Sequence, residues 1–119
     1  MNKILVLQYP KCSTCQKAIK WLTDNNVEFE TRHIVEQNPT KEELGKWLEL
    51  SQLPISKFFN TSGLRYRALN IKDKIKTAPT DELLDILASE GMLVKRPLVV
   101  TDKTVLTGFK EQQWTDALL

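Results

Sequence analysis

Short apolar runs alternate along the chain with longer amphipathic stretches. Residues 3–8 carry Ile4, Leu5, Val6 and Leu7 in one run and predict a buried strand, which Tyr9-Pro10-Lys11 breaks. From Ser13 to Asn25 the apolar positions Cys15, Ala18, Ile19 and Leu22 fall at helical spacing, so this stretch predicts a helix ended by Asn25-Asn26. Glu28–Val35 alternates enough to form a second strand. Together these three pieces make a β-α-β unit of the size a parallel strand pair requires.

The middle of the chain reads as helical. Thr40-Lys41-Glu42-Glu43 is a capping-box pattern ahead of Leu44, Trp47 and Leu48. Pro54 opens a short helical piece through Phe58-Phe59, and Asn60-Thr61-Ser62-Gly63 is turn chemistry. Asn70 is expected to cap a short helix over Ile71–Lys76. Thr80, after Pro79, is expected to cap a helix that carries Leu83, Leu84, Leu87 and Ala88 and stops at Gly91. Pro97–Val100 and Thr104–Thr107 flank Asp102-Lys103 as a hairpin, Gly108 closes it, and Lys110–Leu118 forms a terminal helix. The order is β-α-β, a helical insert, then β-β-α. It predicts an α/β domain over residues 1–119 with a mixed sheet of four strands, in the order of a thioredoxin-like fold. The core is expected over about 1–37 and 94–119 and the insert over about 38–93.

Composition narrows what such a domain does. With 41% hydrophobic and 27% charged residues in 119, the chain is globular and sized for one core. No apolar run approaches the roughly 20 residues of a membrane-spanning helix. The first eight residues lack a long apolar stretch and a small-residue cleavage site. A cytoplasmic protein is the expectation, with no membrane partner. A net charge of +2, spread evenly along the chain, disfavours autonomous nucleic-acid binding. Two neighbouring stretches do differ: Arg65, Arg67, Lys72, Lys74 and Lys76 stand against Asp73 alone, and Asp81, Glu82, Asp85 and Glu90 have no base among them. They read as solvated helix faces, or as a small basic patch for an acidic partner.

The two cysteines lie together in Cys12-Ser13-Thr14-Cys15. A structural zinc site needs about four nitrogen or sulfur ligands. His33 is the only histidine, so no metal site is expected and no cofactor is implied. A C-x-x-C redox pair or two unrelated thiols remain. Cys12 stands where the first strand hands over to the first helix. A helix start offers unpaired N–H groups and partial positive charge, which lower a thiol pKa, and Lys11 adds a cation. Cys15, one turn on, starts the apolar stripe and should keep the higher pKa. The asymmetry suits an attacking Cys12 and a resolving Cys15.

Tyr9-Pro10-Lys11-Cys12-Ser13-Thr14-Cys15 is the first of several telling segments. The others are Phe58-Phe59-Asn60-Thr61-Ser62-Gly63 with Tyr66 and Leu69-Asn70, Leu93-Val94-Lys95-Arg96-Pro97, and Gly108-Phe109-Lys110-Glu111. Over essentially its whole length the chain resembles the ArsC/Spx family. The resemblance implies a catalytic cysteine after the first strand, matched by Cys12, and a cis-proline in an Arg-Pro pair facing it, matched by Arg96 and Pro97. With the Cys12 and Cys15 pair read above, Arg96 completes the candidate catalytic set, although the arsenate reductases lack a cysteine at the Cys15 position. Lys11, Ser13, Thr14, Asn60 and Pro97 are the candidate substrate-binding residues. One branch of the family reduces arsenate with one cysteine, several arginines and glutaredoxin. Another regulates transcription through a C-x-x-C switch and binds RNA polymerase. Here Asn60, and Gly108 or its neighbours, match the places where the reductases carry further arginines, and the chain closes sooner than the regulators do. The implied activity is thiol–disulfide oxidoreduction. Its partners are a thiol reductant (glutathione with glutaredoxin, or thioredoxin) or a protein disulfide; the alternative is a redox-sensing regulator that binds the RNA polymerase α-subunit. Among the remaining residues, His33 reads as a strand histidine, Arg65, Tyr66 and Arg67 as a groove rim, and Trp21, Trp47 and Trp114 as packing residues.

Overall fold

A computed structural model describes residues 4–119. The predicted strand start at Lys3 lies outside them. The strands are β1 (Leu5–Gln8), β2 (Glu30–His33), β3 (Leu98–Val100) and β4 (Val105–Thr107). The helices are α1 (Ser13–Asp24), α2 (Lys41–Ser51), α3 (Leu64–Ala68), α4 (Ile71–Thr77), α5 (Thr80–Ser89) and α6 (Glu111–Leu118). Single 3-10 turns span Ile55–Phe58 and Gly91–Leu93.

Among the described residues the sheet has four strands in the order β2-β1-β3-β4, with β1 parallel to β2 and antiparallel to β3. This is the mixed α/β sheet of a thioredoxin-like fold. Side chains alternate across it with the period of two that a pleated strand imposes. Val6, Val99 and Leu106 face α1 and α6 and pack with Ala18, Leu22 and Trp114. Leu7, Leu98 and Val105 face the insert and pack with Leu44, Trp47, Phe58, Phe59 and Leu87. The short strands are therefore buried on both faces, which is why β1 and β3 read as continuous apolar runs. All three tryptophans pack as expected: Trp47 and Trp114 are buried, and Trp21 sits edge-on to Trp114 with ring centroids 5.9 Å apart.

Local signals hold in part. The Thr40 capping box forms in full, and its Glu43 also takes Arg32 of β2 at 2.7 Å, tying the insert to the sheet. Arg32, with the Thr40 N–H and hydroxyl, holds the Glu43 carboxyl down at about 2, against the opposing effect of burial. One predicted cap is corrected, and the other holds in position without its side-chain bond. Pro79, not Thr80, is the N-cap of α5, and Thr80 is its first helical residue. Asn70 does precede α4, but its backbone is left-handed (φ 54°) and its side chain makes no cap bond. The hairpin turns at Asp102-Lys103 as expected: the strands end at Val100 and Val105, and the Thr101 N–H donates to the Thr104 carbonyl at 2.9 Å across the turn. The Thr101 hydroxyl accepts the N–H groups of Lys103 and Thr104, so a lysine is tolerated there.

Candidate functional site

The site grows from the end of β1. Tyr9, Pro10 and Lys11 turn the chain, with the Cys12 N–H donating to the Tyr9 carbonyl at 2.9 Å. The Gln16 amide donates to the Pro10 carbonyl at 2.9 Å and closes this loop onto α1. Cys12 is the N-cap of α1 in an extended conformation (φ −81°, ψ 118°) and has no side-chain cap bond. It is half-buried, whereas Cys15 is fully buried in the apolar face of the helix. Among the described residues both are free thiols.

The two thiols are strongly unequal. Burial opposes charge on Cys12, but it is outweighed by hydrogen bonds from the Cys15 backbone N–H and thiol and by the nearby Arg96, so the pKa falls below the ordinary thiol value. Burial pushes Cys15 up to about 12, against a Tyr9 backbone N–H that favours the thiolate, and the proximity of Cys12 pushes it further. The predicted asymmetry is present. Of the two cations expected near Cys12, Arg96 acts on it, while Lys11 is exposed.

Register explains how Arg96 arrives. Leu7 lies opposite Leu98 in an antiparallel ladder, so the chain leaving β1 and the chain entering β3 share one edge. The Arg96–Pro97 bond is cis, as the resemblance implies, and Pro97 is buried. The Arg96 guanidinium lies 5.5 Å from the centroid of the Tyr9 ring. Its Nη1 donates to the Met92 carbonyl at 3.1 Å and approaches the Met92 sulfur at 3.7 Å, while Nε is buried without a partner. Arg96 favours the Cys12 thiolate by side-chain hydrogen bonding and, to a lesser degree, by its charge, while its Nη1 is braced by Met92. Met92 escaped the sequence reading; nothing in Gly91-Met92-Leu93 marks a methionine as the brace of an arginine four residues on.

The remaining candidates fall into two groups. Ser13 and Thr14 occupy the exposed first turn of α1 beside Cys12. Asn60 is held in its turn: its N–H donates to Leu93 at 2.8 Å and its side-chain oxygen accepts the Ser62 hydroxyl at 3.3 Å. That bond, with Lys95 N–H to the Phe58 carbonyl at 2.8 Å, stitches the insert to the segment before β3. His33 is structural. Its Nδ1 accepts the N–H groups of Val35 and Glu36 at 3.2 and 3.1 Å. Arg65 of the supposed rim pairs with Glu90 at 3.0 Å. Among the described residues no group of three or more histidine, cysteine or acidic side chains is placed to hold a metal, and no helix is long and apolar enough to cross a membrane.

Comparison with known proteins follows the same lines. The model of the ArsC family matches residues 7–117. The chain is 55% identical to an ArsC family related protein from Bacteroides fragilis of known structure, with a TM-score of 0.92 and 95% of each chain covered. It is 52% identical over 108 residues to the protein YusI of Bacillus subtilis, covering 91% of this chain and 92% of that one. It is 32% identical to the regulatory protein MgsR of the same organism, covering 91% and 84%. Further matches carry the names of the global transcriptional regulator Spx and of a possible arsenate reductase from Streptococcus mutans.

Proposed function

The chain belongs to the ArsC family, and from that premise we propose that it is a thiol–disulfide oxidoreductase working through Cys12 and Cys15. The observation that carries the reading is the split between the thiols, one half-exposed with a lowered pKa and one buried with a pKa near 12, a helical turn apart. The Cys12 thiolate attacks one sulfur of a disulfide. A mixed disulfide forms and the other sulfur leaves as a thiolate. Cys15 then gives up its proton to that leaving thiolate and attacks the Cys12 sulfur. The bound thiol is expelled, and two electrons have passed from the cysteine pair to the substrate. Formation of the mixed disulfide removes the Cys12 charge, which is one of the causes holding the Cys15 pKa up, so the second thiol is easier to ionise when it is needed. A thiol reductant, glutathione with glutaredoxin or thioredoxin, restores the pair. Ser13, Thr14, Lys11 and Pro97 line the approach in this reading, and Arg96 supports the thiolate.

The test uses a small disulfide with a thiol reductant. Wild type turns it over, Cys12→Ser does not, and Cys15→Ser accumulates the mixed disulfide, seen as an adduct by mass spectrometry. Mild oxidation of wild type should remove two hydrogens in a bond that dithiothreitol restores. Persistent free thiols under these conditions would sink the proposal.

Similarity to MgsR favours a second reading, in which oxidation of the pair alters binding to the RNA polymerase α-subunit. Retention of the α-subunit that depends on the redox state, without turnover of any disulfide, would select it. Arsenate reduction is expected to be feeble. An oxyanion dianion needs several charge-assisted donors, and Arg96 stands without an arginine at Asn60 or near Gly108. Gly108 has φ +74°, and a Cβ there would stand 3.2 Å from Lys95 Cε, so the backbone itself resists an arginine at this position. In a glutaredoxin-coupled assay the rate with arsenate should stay near background; robust turnover would overturn this expectation.

A further inference from the structure

A cleft of about 380 Å³ opens between the insert, the end of β4 and the start of α6. Cys12, Cys15 and Arg96 do not line it. Three lysines do: Lys57 from the insert, Lys95 from the segment before β3, and Lys110 from the N-cap of α6. No aspartate or glutamate shares the lining, whose other members include Phe59, Thr107 and Gln113. Among the described residues the ion pairs use Lys20, Arg32, Lys41 and Arg65, and none of the three cleft lysines.

Three further features favour an anion. Lys95 is half-buried, and its side chain lies over Gly108, where the missing Cβ leaves it room. Gly108 turns the chain so that β4 runs directly into α6 at the cleft. Lys110 caps that helix without a side-chain bond, and Trp114 N–H to Lys110 carbonyl, at 3.0 Å, is the first bond of the helix. The N–H groups of residues 111–113 therefore have no partner within the helix, and Gln113 lines the cleft. Lys57 and Lys110 are exposed and Lys95 half-buried, and three lysines lining one concave surface without an acidic neighbour give it a positive potential that favours an anion.

We propose that this cleft binds a small organic dianion, of the phosphate-ester or dicarboxylate class, at a site separate from the cysteine pair. Phe59 supplies an apolar wall, Thr107 a hydroxyl, and the lysines the charge.

The full-length reduced protein is titrated at low ionic strength with inorganic phosphate and, separately, with succinate, following backbone amide shifts. Saturable shifts at residues 107–113 and around Lys57 and Lys95 are expected from at least one probe. A response to phosphate alone assigns the phosphate class, to succinate alone the dicarboxylate class, and to both a general dianion site. Lys95→Gln and Lys110→Gln should each weaken binding roughly tenfold, as loss of one charged hydrogen bond does. Cys12→Ser should leave the affinity unchanged. A Lys72→Gln, Lys74→Gln double variant, which removes charge elsewhere, should also bind normally. No saturable shift with either probe overturns the proposal. So do shifts that centre on Cys12, vanish in Cys12→Ser and survive the lysine substitutions.

Discussion

Alkylation of the reduced protein will modify Cys12 long before Cys15. With its pKa near 12, only about 1 in 100,000 Cys15 thiols is ionised at pH 7. Cys12 lies below its ordinary 9.0, so more than roughly 1 in 100 is ionised there. That is at least about a thousandfold in thiolate. Intrinsic nucleophilicity rises with pKa and returns roughly twentyfold to Cys15, which leaves Cys12 ahead by some fiftyfold before access is counted. Access widens the gap further, because Cys15 is 0% exposed. Peptide mapping after timed iodoacetamide treatment reads the order, and the rate against pH reads the midpoint. The midpoint for Cys12 should lie below 9.0. Arg96→Ala removes a cation that favours the thiolate, and Cys15→Ala removes a donor that does the same, so each should move the midpoint upward. Since Cys12 is only half-buried, solvent screening keeps either shift modest. First modification at Cys15, or a Cys12 midpoint above the ordinary thiol range, would reverse the two roles.

Much of this site was legible because it is local. The strand–break–helix order around Cys12 sets the N-cap, and the apolar stripe from Cys15 through Ala18 to Leu22 buries the second thiol. Both are consequences of spacing within a dozen residues. What was not legible depends on residues distant in sequence. Lys57, Lys95 and Lys110 carry no common pattern until the insert, the β3 entry and α6 meet. Helix α3 was missed for another reason. Leu64 is 83% exposed, and Arg65, Tyr66 and Arg67 offer no apolar periodicity. The helix is held from outside, by the Arg65–Glu90 pair and by Tyr66 against Phe59, with centroids 6.3 Å apart. The Thr80 cap failed because Pro79 already provides an extended residue with no N–H to lose, which lets the helix begin at Thr80, one residue earlier than expected.

Gly91 shows most sharply how a correct residue was read for an incomplete reason, and it yields the largest expected effect on stability. In the sequence it looks like a helix stop. In the structure α5 already ends at Ser89, and Gly91 opens the 3-10 turn that carries Met92 and Leu93. Its hydrogen atom faces the backbone leaving β2. A Cβ built there would collide with the Ile34 carbonyl oxygen and stand 2.7 Å from Asn38 Oδ1. Neither obstacle is a free end of a side chain. The Ile34 N–H is fixed to the Gln8 carbonyl at 2.9 Å, and the Asn38 amide is held by the Ala88 carbonyl at 2.8 Å. Gly91→Ala must therefore separate the insert from the sheet. It should cost more than about 4 kcal/mol, at the extreme of single substitutions and comparable to the whole stability of a small domain, which is about 5–15 kcal/mol. Gly45→Ala provides the contrast. Gly45 lies inside α2, and its added Cβ meets only Leu84 Cδ1 at an ordinary 3.8 Å. There alanine should stabilise the protein by about 0.5–1 kcal/mol, since glycine is the poorer helix former. Thermal and urea unfolding of the two variants, followed by circular dichroism, should thus move in opposite directions from wild type. A folded Gly91→Ala protein melting within a few degrees of wild type would show that the turn at Gly91 can retreat from β2. Met92, and through it Arg96, would then be free to shift relative to Cys12.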